Sequence, residues 1–170
     1  MTKRISKIVK IFLIFIALHI THCALHKSFA QEGDKLVALS KQIIEAKTNE
    51  DLYAPFEELK DSYFSRPAIK SEGGIPPEAG KDNKYNDFVG FLNSLSQKKK
   101  TLEPFTSYYV AFSRYHQLKY LEEAQKWDEY FAQGNTYRDE LTERANNTIA
   151  ATTPNEPLHI YTRLILYQFH

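Results

Sequence analysis

A stretch rich in aromatic residues, Glu103 to Phe131, carries the longest helical pattern of apolar positions in the chain. On a helix that turns about 100° per residue, its rings fall within roughly 160° of arc. They belong to Phe105, Tyr108, Tyr109, Phe112, Tyr115, Tyr120, Trp127, Tyr130 and Phe131. Lys119 and Glu123 interrupt them, and we expect these two side chains either to pair or to mark a kink between two shorter helices. The pattern predicts a long helix whose aromatic face packs against neighbouring helices.

Apolar residues recur at helical spacing on both sides of this stretch. Before it, the spacing predicts helices over about residues 34–47, 51–64 and 82–97. After it, Gln133-Gly134-Asn135 is typical of a turn at a helix C-terminus. A helix returning antiparallel through Tyr137 and Ile149 is expected to follow that turn. The predicted class is therefore all-α, built of antiparallel helical hairpins.

A long loop is predicted at about residues 65–81, which are rich in proline and glycine and contain little that is apolar except Ile69 and Ile75. A connection of this length without its own structure is unusual inside a compact domain. It suits either a binding lid or a flexible connector, and we favour the connector.

The last predicted helix, Leu158 to Phe169, is apolar on nearly every side. Such a helix is normally buried, yet the sequence ends at His170. Two explanations are open. The chain is a C-terminally truncated fragment of a longer protein, which we favour, or a partner subunit covers the helix, and the oligomeric state stays open.

The first thirty residues have the pattern of an export signal. Five basic residues and no acidic residue occur there, and Ile11 to Leu18 is an unbroken apolar run. Ser28-Phe29-Ala30 supplies small residues at the −3 and −1 positions of a cleavage site. We therefore predict a signal peptide over residues 1–30, cleaved after Ala30, and a single exported helical domain over residues 31–170 that is periplasmic or secreted.

There are two alternatives to a cleaved signal peptide for this N-terminal segment. An uncleaved membrane anchor needs about 20 apolar residues, and Lys10 and His19 bound a much shorter run. A lipid anchor on Cys23 needs a small residue before the cysteine, where His22 stands. Membrane contact is therefore expected only through the signal segment, with an uncleaved anchor as the alternative localisation.

Charge and cysteine content narrow the function classes. Removing the five basic residues of the signal segment from the 22 of the whole chain leaves 17, against 21 acidic residues. An acidic mature protein does not suit nucleic-acid binding. Cleavage after Ala30 also removes the one cysteine, Cys23, so neither a disulfide nor a thiolate metal site is predicted.

The C-terminal third of the chain, over roughly residues 120–170, resembles tetratricopeptide-type helical repeats. The residues that carry the resemblance are Trp127-x-x-Tyr130-Phe131, Gly134-Asn135 at the predicted turn, a return helix ending at Pro154, and Leu158-x-x-Tyr161. The alanine that such repeats place soon after the turn is missing. The resemblance implies stacked helical hairpins with a concave surface for a protein or peptide, and it implies no catalytic residue.

A faint internal echo accompanies this resemblance. Glu103-Pro104-Phe105-x-x-Tyr108 matches Glu156-Pro157-Leu158-x-x-Tyr161, 53 residues further along. That spacing is longer than the usual tetratricopeptide period of about 34 residues.

No catalytic motif is evident, and no cofactor is predicted. The run His19-x-x-His22-Cys23-x-x-His26 has metal-ligand spacing but lies in the predicted signal segment, so no metal site is expected. The leading hypothesis is an exported scaffold, not an enzyme, that binds a protein or peptide. Its possible binding surface is Tyr108, Phe112, His116, Tyr120, Trp127 and Phe131.

Two further hypotheses come from the same residues. A small-ligand protein would use an aromatic groove with His116 and Trp127 at its wall. A hydrolase would bring Glu123 and His116 within reach of a shared proton.

Overall fold

The computed structural model of the protein describes residues 33–64 and 84–169. Within these two ranges all regular structure is helical and there is no strand, so the predicted all-α class is confirmed. The predicted signal peptide with its cleavage site at Ala30 and the predicted loop over 65–81 lie outside the described residues. None of the helices in the described ranges combines the length and the apolar content needed to cross a membrane.

The chain divides into two compact units, Met1–Lys41 and Gln42–His170. Helix α1 covers residues 33–45, and the later helices belong to the second unit. Its helices are α2 (Glu50–Phe64), α3 (Lys84–Lys98), a 3₁₀ turn (Lys100–Leu102), α4 (Glu103–Glu123), α5 (Trp127–Ala151) and α6 (Pro157–Phe169).

Threonine–carboxylate hydrogen bonds precede two of these helices. The backbone N–H of Thr48 donates to Asp51 Oδ2 at 3.1 Å, and the N–H of Asp51 donates to Thr48 Oγ1 at 3.3 Å. This reciprocal pair is a capping box. Just before α6, the N–H and the hydroxyl of Thr153 both donate to Glu156 Oε1 at 2.9 Å. The hydrogen bonds from the threonines lower the pKa of both Asp51 and Glu156.

The predicted single aromatic helix is in fact two helices. Helix α4 ends at Glu123, where Lys119 Nζ lies 3.8 Å from Glu123 Oε1, and α5 begins at Trp127. Between them Gln125 has a φ of 55°, and the N–H of Lys126 donates to the carbonyl of Leu121 at 2.8 Å. That left-handed residue and six-residue hydrogen bond form a Schellman cap. The expected break at Lys119–Glu123 is therefore a full turn rather than a kink.

The turn predicted at Gly134-Asn135 is wrong. Gly134 is buried inside α5, beside the side chain of Leu118. The antiparallel partner of α5 is α4, because the contacting pairs run in opposite order: Leu118 with Gly134, Arg114 with Tyr137, and Pro104 with Thr148. The hairpin thus closes at residues 124–126, about ten residues before the glycine that carried the sequence resemblance.

Replacing Gly134 with alanine should raise the free energy of unfolding by about 0.5–1 kcal/mol, because alanine favours a helix interior over glycine. A Cβ at this position meets Arg138 Nη1 at 3.6 Å and Leu118 Cδ2 at 3.8 Å, which are ordinary contacts. Urea unfolding of the two proteins measures the change. A loss of stability would contradict a helical Gly134 and would favour a turn instead.

Helices α2, α4 and α6 run parallel to one another. The pairs that join α2 and α4 follow the same order along both helices. The rings of Tyr53 and Phe105 lie 5.1 Å apart near the helix starts, and those of Phe64 and Phe112 lie 5.7 Å apart further along. Helix α6 adds Tyr161, whose ring lies 6.5 Å from that of Tyr108. Helices α3 and α5 run the opposite way, so the unit alternates direction from one helix to the next.

Candidate functional site

Aromatic rings of α4 meet side chains of α2 and α6 at one surface. Along α4, the ring of Phe112 lies 6.4 Å from Tyr108 and 4.3 Å from His116. On the α2 side, Lys60 Nζ lies 5.7 Å from the centre of the Phe112 ring. On the α6 side, Tyr161 stands beside Tyr108. Tyr53 of α2 also borders α6, where the backbone of Leu158 hydrogen-bonds to it. We call this surface the three-helix face, and its residues are Tyr53, Lys60, Tyr108, Phe112, His116 and Tyr161.

Hydrogen bonds and burial hold the tyrosines at and beneath this face in their neutral form. The hydroxyl of Tyr109 donates to Glu57 Oε1 at 2.7 Å, and Lys60 donates to the other oxygen of the same carboxylate. Burial raises the pKa of Tyr109 and of Tyr108 far above the ordinary value, and Glu57 adds to the rise. Burial also raises the pKa of Tyr53, while a backbone hydrogen bond from Leu158 opposes that rise.

His116 is uncharged at neutral pH. Burial lowers its pKa below 6.5, and the positive charges of Lys119 and Lys60 lower it further. Its ring lies among the rings of Phe64, Phe112 and Tyr115, with centroids 6.4, 4.3 and 5.1 Å away. A neutral imidazole in such a place can donate one hydrogen bond and accept another.

Three of the six residues expected in the binding surface lie together, and three do not join them. Tyr108, Phe112 and His116 form the α4 part of the three-helix face. The ring of Tyr120 instead lies 6.0 Å from that of Tyr85, and Lys126 Nζ lies 5.0 Å from the centre of the Tyr120 ring. Trp127 and Phe131 lie beyond the turn, so the helix break separates them from His116.

Trp127, Tyr130 and Phe131 form a separate group that we call the α5 aromatic cluster. Its ring centroids are between 5.9 and 6.3 Å apart. Trp127 is 45% exposed and Phe131 76% exposed, while Tyr130 receives both a hydrogen bond and a ring contact from Arg138. The cluster is held by contacts within its own helix.

Sequence reasoning missed the contributions of α2 and α6 to the three-helix face. For Tyr161 the sequence did contain a signal, because the internal echo aligns it with Tyr108, 53 residues earlier. Tyr53 and Lys60 had none, because their positions are set by how α2 packs on α4 rather than by any motif.

Two surface depressions lie in other parts of the unit. Their linings are Gln42, Glu45, Ala46, Lys47, Asp51 and Pro55 in one, and Lys100, Thr101, Glu103, Pro104, Asn147, Ala150 and Ala151 in the other. Neither lining includes an aromatic ring. In the described ranges, no group of three or more histidine, cysteine, aspartate or glutamate side chains is placed to hold a metal ion.

No family model, curated protein or solved structure matches this chain. The three-helix face carries the partly exposed rings of Tyr53, Phe112, His116 and Tyr161. Hydroxyl, imidazole and ammonium groups stand at the same surface, a combination suited to binding.

Proposed function

We propose that the protein is an exported, non-catalytic scaffold of helical-hairpin repeats whose three-helix face binds a segment of polypeptide. The observation that carries the proposal is a series of contacts that joins three parallel helices at one surface. Lys60 of α2 lies over the ring of Phe112 in α4. Tyr108 of α4 neighbours both Phe112 and Tyr161 of α6. Export is supported by the basic and apolar pattern of the first thirty residues.

The repeat architecture is supported by the agreement between helix order and the internal echo. Pro104 and Pro157 stand in the first turns of α4 and α6. Phe105 and Leu158, again 53 residues apart, are both 2% exposed and face the interior. Parallel α2, α4 and α6 alternating with α3 and α5 is the order expected of stacked hairpins. The repeat that these observations support is therefore 53 residues long, and it differs from a 34-residue repeat with a turn at Gly134.

A polypeptide suits this face because its chemistry is both apolar and polar. Partly exposed Phe112 and Tyr161 offer flat contact area at a low cost in side-chain entropy. The neutral His116 ring and the Lys60 ammonium group lie beside them and can bond to backbone carbonyls or to a carboxylate. Aromatic anchors surrounded by polar groups are the usual make-up of a protein-binding surface.

The two other hypotheses have weaker support. A small-ligand groove between His116 and Trp127 needs both side chains at one wall, whereas their ring neighbours form two separate groups. A hydrolase needs Glu123 directed to His116, whereas the Glu123 carboxylate lies 3.8 Å from Lys119 Nζ.

Replacing Tyr161 with alanine should weaken polypeptide binding at least about tenfold, as expected when an aromatic anchor is lost from an interface. Peptides selected from a random library on the purified protein provide the ligands, and fluorescence anisotropy provides the dissociation constants. Phe131→Ala is the matched control, because it removes an exposed ring from the α5 aromatic cluster instead. Equal affinities of the Tyr161 variant and the control would overturn the proposal.

A further inference from the structure

The end of the three-helix face where α2, α4 and α6 begin is negatively charged. Tyr53 lies at this end, in the first turn of α2 and against Phe105 of α4. Glu50 is the first residue of α2, and Glu156 directly precedes α6. Burial raises the pKa of Tyr53, and the charges of Glu156 and Glu50 raise it further. Both glutamates therefore act on this part of the face.

The other end of the face, around His116, carries lysines. Lys60 Nζ of α2 lies 5.7 Å from the centre of the Phe112 ring. Lys84 is the first residue of α3, and its Nζ lies 5.7 Å from the centre of the Phe64 ring. The centroid of the Phe64 ring is 6.4 Å from that of the His116 imidazole. Ammonium groups from two helices thus lie over the rings that surround His116.

A third lysine, Lys119, follows His116 by one turn of α4 and so lies on the same side of that helix. Its partner Glu123 is 3.8 Å away and 67% exposed, so solvent screens this pair. Burial lowers the pKa of His116, three lysines lower it further, and Glu123 opposes them. The lysines are Lys119, Lys60 and Lys84. The balance of these charges is positive at the imidazole.

An ion pair between Glu57 and Lys60 of α2 lies between the two ends. Asp61 Oδ1 is also 3.8 Å from Lys60 Nζ. Because these carboxylates offset much of the charge of Lys60, the positive end depends mainly on Lys84 and Lys119. The partial charges at the ends of α2 and α4 have the opposite sign to the side chains, but each is only about half an elementary charge.

We propose that the polypeptide bound at the three-helix face carries opposite charges at its two ends, with its basic end beside Tyr53 and its acidic end beside His116. This class of partner rests on the binding function proposed above and adds an orientation to it. In the reverse orientation, like charges would meet at both ends of the face, which lowers affinity. The rings between the two ends supply apolar contact in either orientation.

The distance between the two ends sets the length of the bound segment. Phe105 and His116, the α4 residues level with the two ends, are about 16 Å apart along the helix axis at about 1.5 Å per residue. An extended chain of about five residues spans that distance. We therefore expect about five mostly apolar residues between the basic and the acidic flank.

Two peptides of identical composition test the proposal on the wild-type protein. Each places the apolar core of a library-selected binder, which fixes the direction of the chain, between a pair of glutamates and a pair of lysines. Only the order of the two flanks differs. Fluorescence anisotropy should give dissociation constants at least about tenfold apart. Raising NaCl to about 0.5 M should shrink the difference, because salt screens exposed charges.

Reversing the charge of two lysines tests the same point on the protein. Lys84→Glu combined with Lys119→Glu should reduce the difference between the two peptides to less than about threefold. The matched control is Lys98→Glu combined with Lys100→Glu, an equal change of charge at exposed lysines outside the face. It should preserve the difference. A difference that persists in the first variant would contradict the proposal.

The location of the acidic flank gives a further readout. A photoreactive group on that flank of the tighter peptide should crosslink beside Lys84 and Lys119, and crosslinks beside Tyr53 would overturn the orientation. Equal affinities of the two peptides, with Tyr161→Ala still weakening both, would overturn the charge preference and leave the binding function standing. If no selected peptide depends on Tyr161, the binding function fails and this class of partner fails with it.

Discussion

Replacing Phe56 with alanine should lower the free energy of unfolding by about 3–5 kcal/mol. Phe56 is fully buried and stacks on both Tyr109, at 5.1 Å, and Phe105, at 5.4 Å. Its loss removes the most buried of the contacts between α2 and α4 and leaves a cavity that two rigid rings cannot close. Urea unfolding monitored by circular dichroism measures the change.

Phe131→Ala is the matched control for this prediction. It makes the same chemical change at a ring that is 76% exposed, so we expect the free energy of unfolding to stay within about 0.5 kcal/mol of wild type. Similar losses in the two variants would mean that α2 does not pack on α4 through Phe56.

Replacing Arg114 with methionine should cost about 3 kcal/mol of stability. The arginine is 7% exposed and reaches across three helices. It donates to Glu140 Oε2 at 2.5 Å and, through Nη1, to the side-chain oxygens of Asn86 and Gln117 at 2.6 Å. Methionine retains much of the packing over Tyr137 but leaves these three acceptors without their donor.

Two comparisons show whether the network causes that loss. Arg138→Met removes an arginine that bonds to Asn135 and Tyr130 within α5, so it should cost less than about 1 kcal/mol. Adding Glu140→Gln to Arg114→Met should cost little more than the single change, because the two side chains form one network. Fully additive losses would contradict the coupling of α4 to α5 through this pair.

The sequence predicted most helices and a possible break near Lys119 and Glu123, but it placed the reversal of the chain too late, at Gly134. Apolar spacing is a strong signal for helices such as α2 and α3, and their predicted limits lie within two residues of the observed ones. The turn after Glu123 has no glycine or proline, because Gln125 takes the left-handed position itself. The turn was predicted at Gly134 instead, although this glycine lies inside a helix and packs against Leu118.

Helical periodicity predicted only half of the candidate site. Tyr108, Phe112 and His116 are four residues apart on one helix, so periodicity alone places them together. Trp127 and Phe131 continue that periodicity in the sequence but not in the structure, because the chain reverses its direction before them. The neighbours supplied by α2 and α6 depend on the packing of distant segments, which no local pattern encodes.

Site-specific photocrosslinking in the exporting cell tests the proposed function most directly. A photoreactive phenylalanine at Phe112 or at Tyr161 samples the three-helix face, and the same group at exposed Asp139 of α5 samples surface outside it. The account predicts adducts to a polypeptide other than the chain itself at the first two positions, several-fold above Asp139. Equal adducts at all three positions, or adducts only to small molecules, would contradict it.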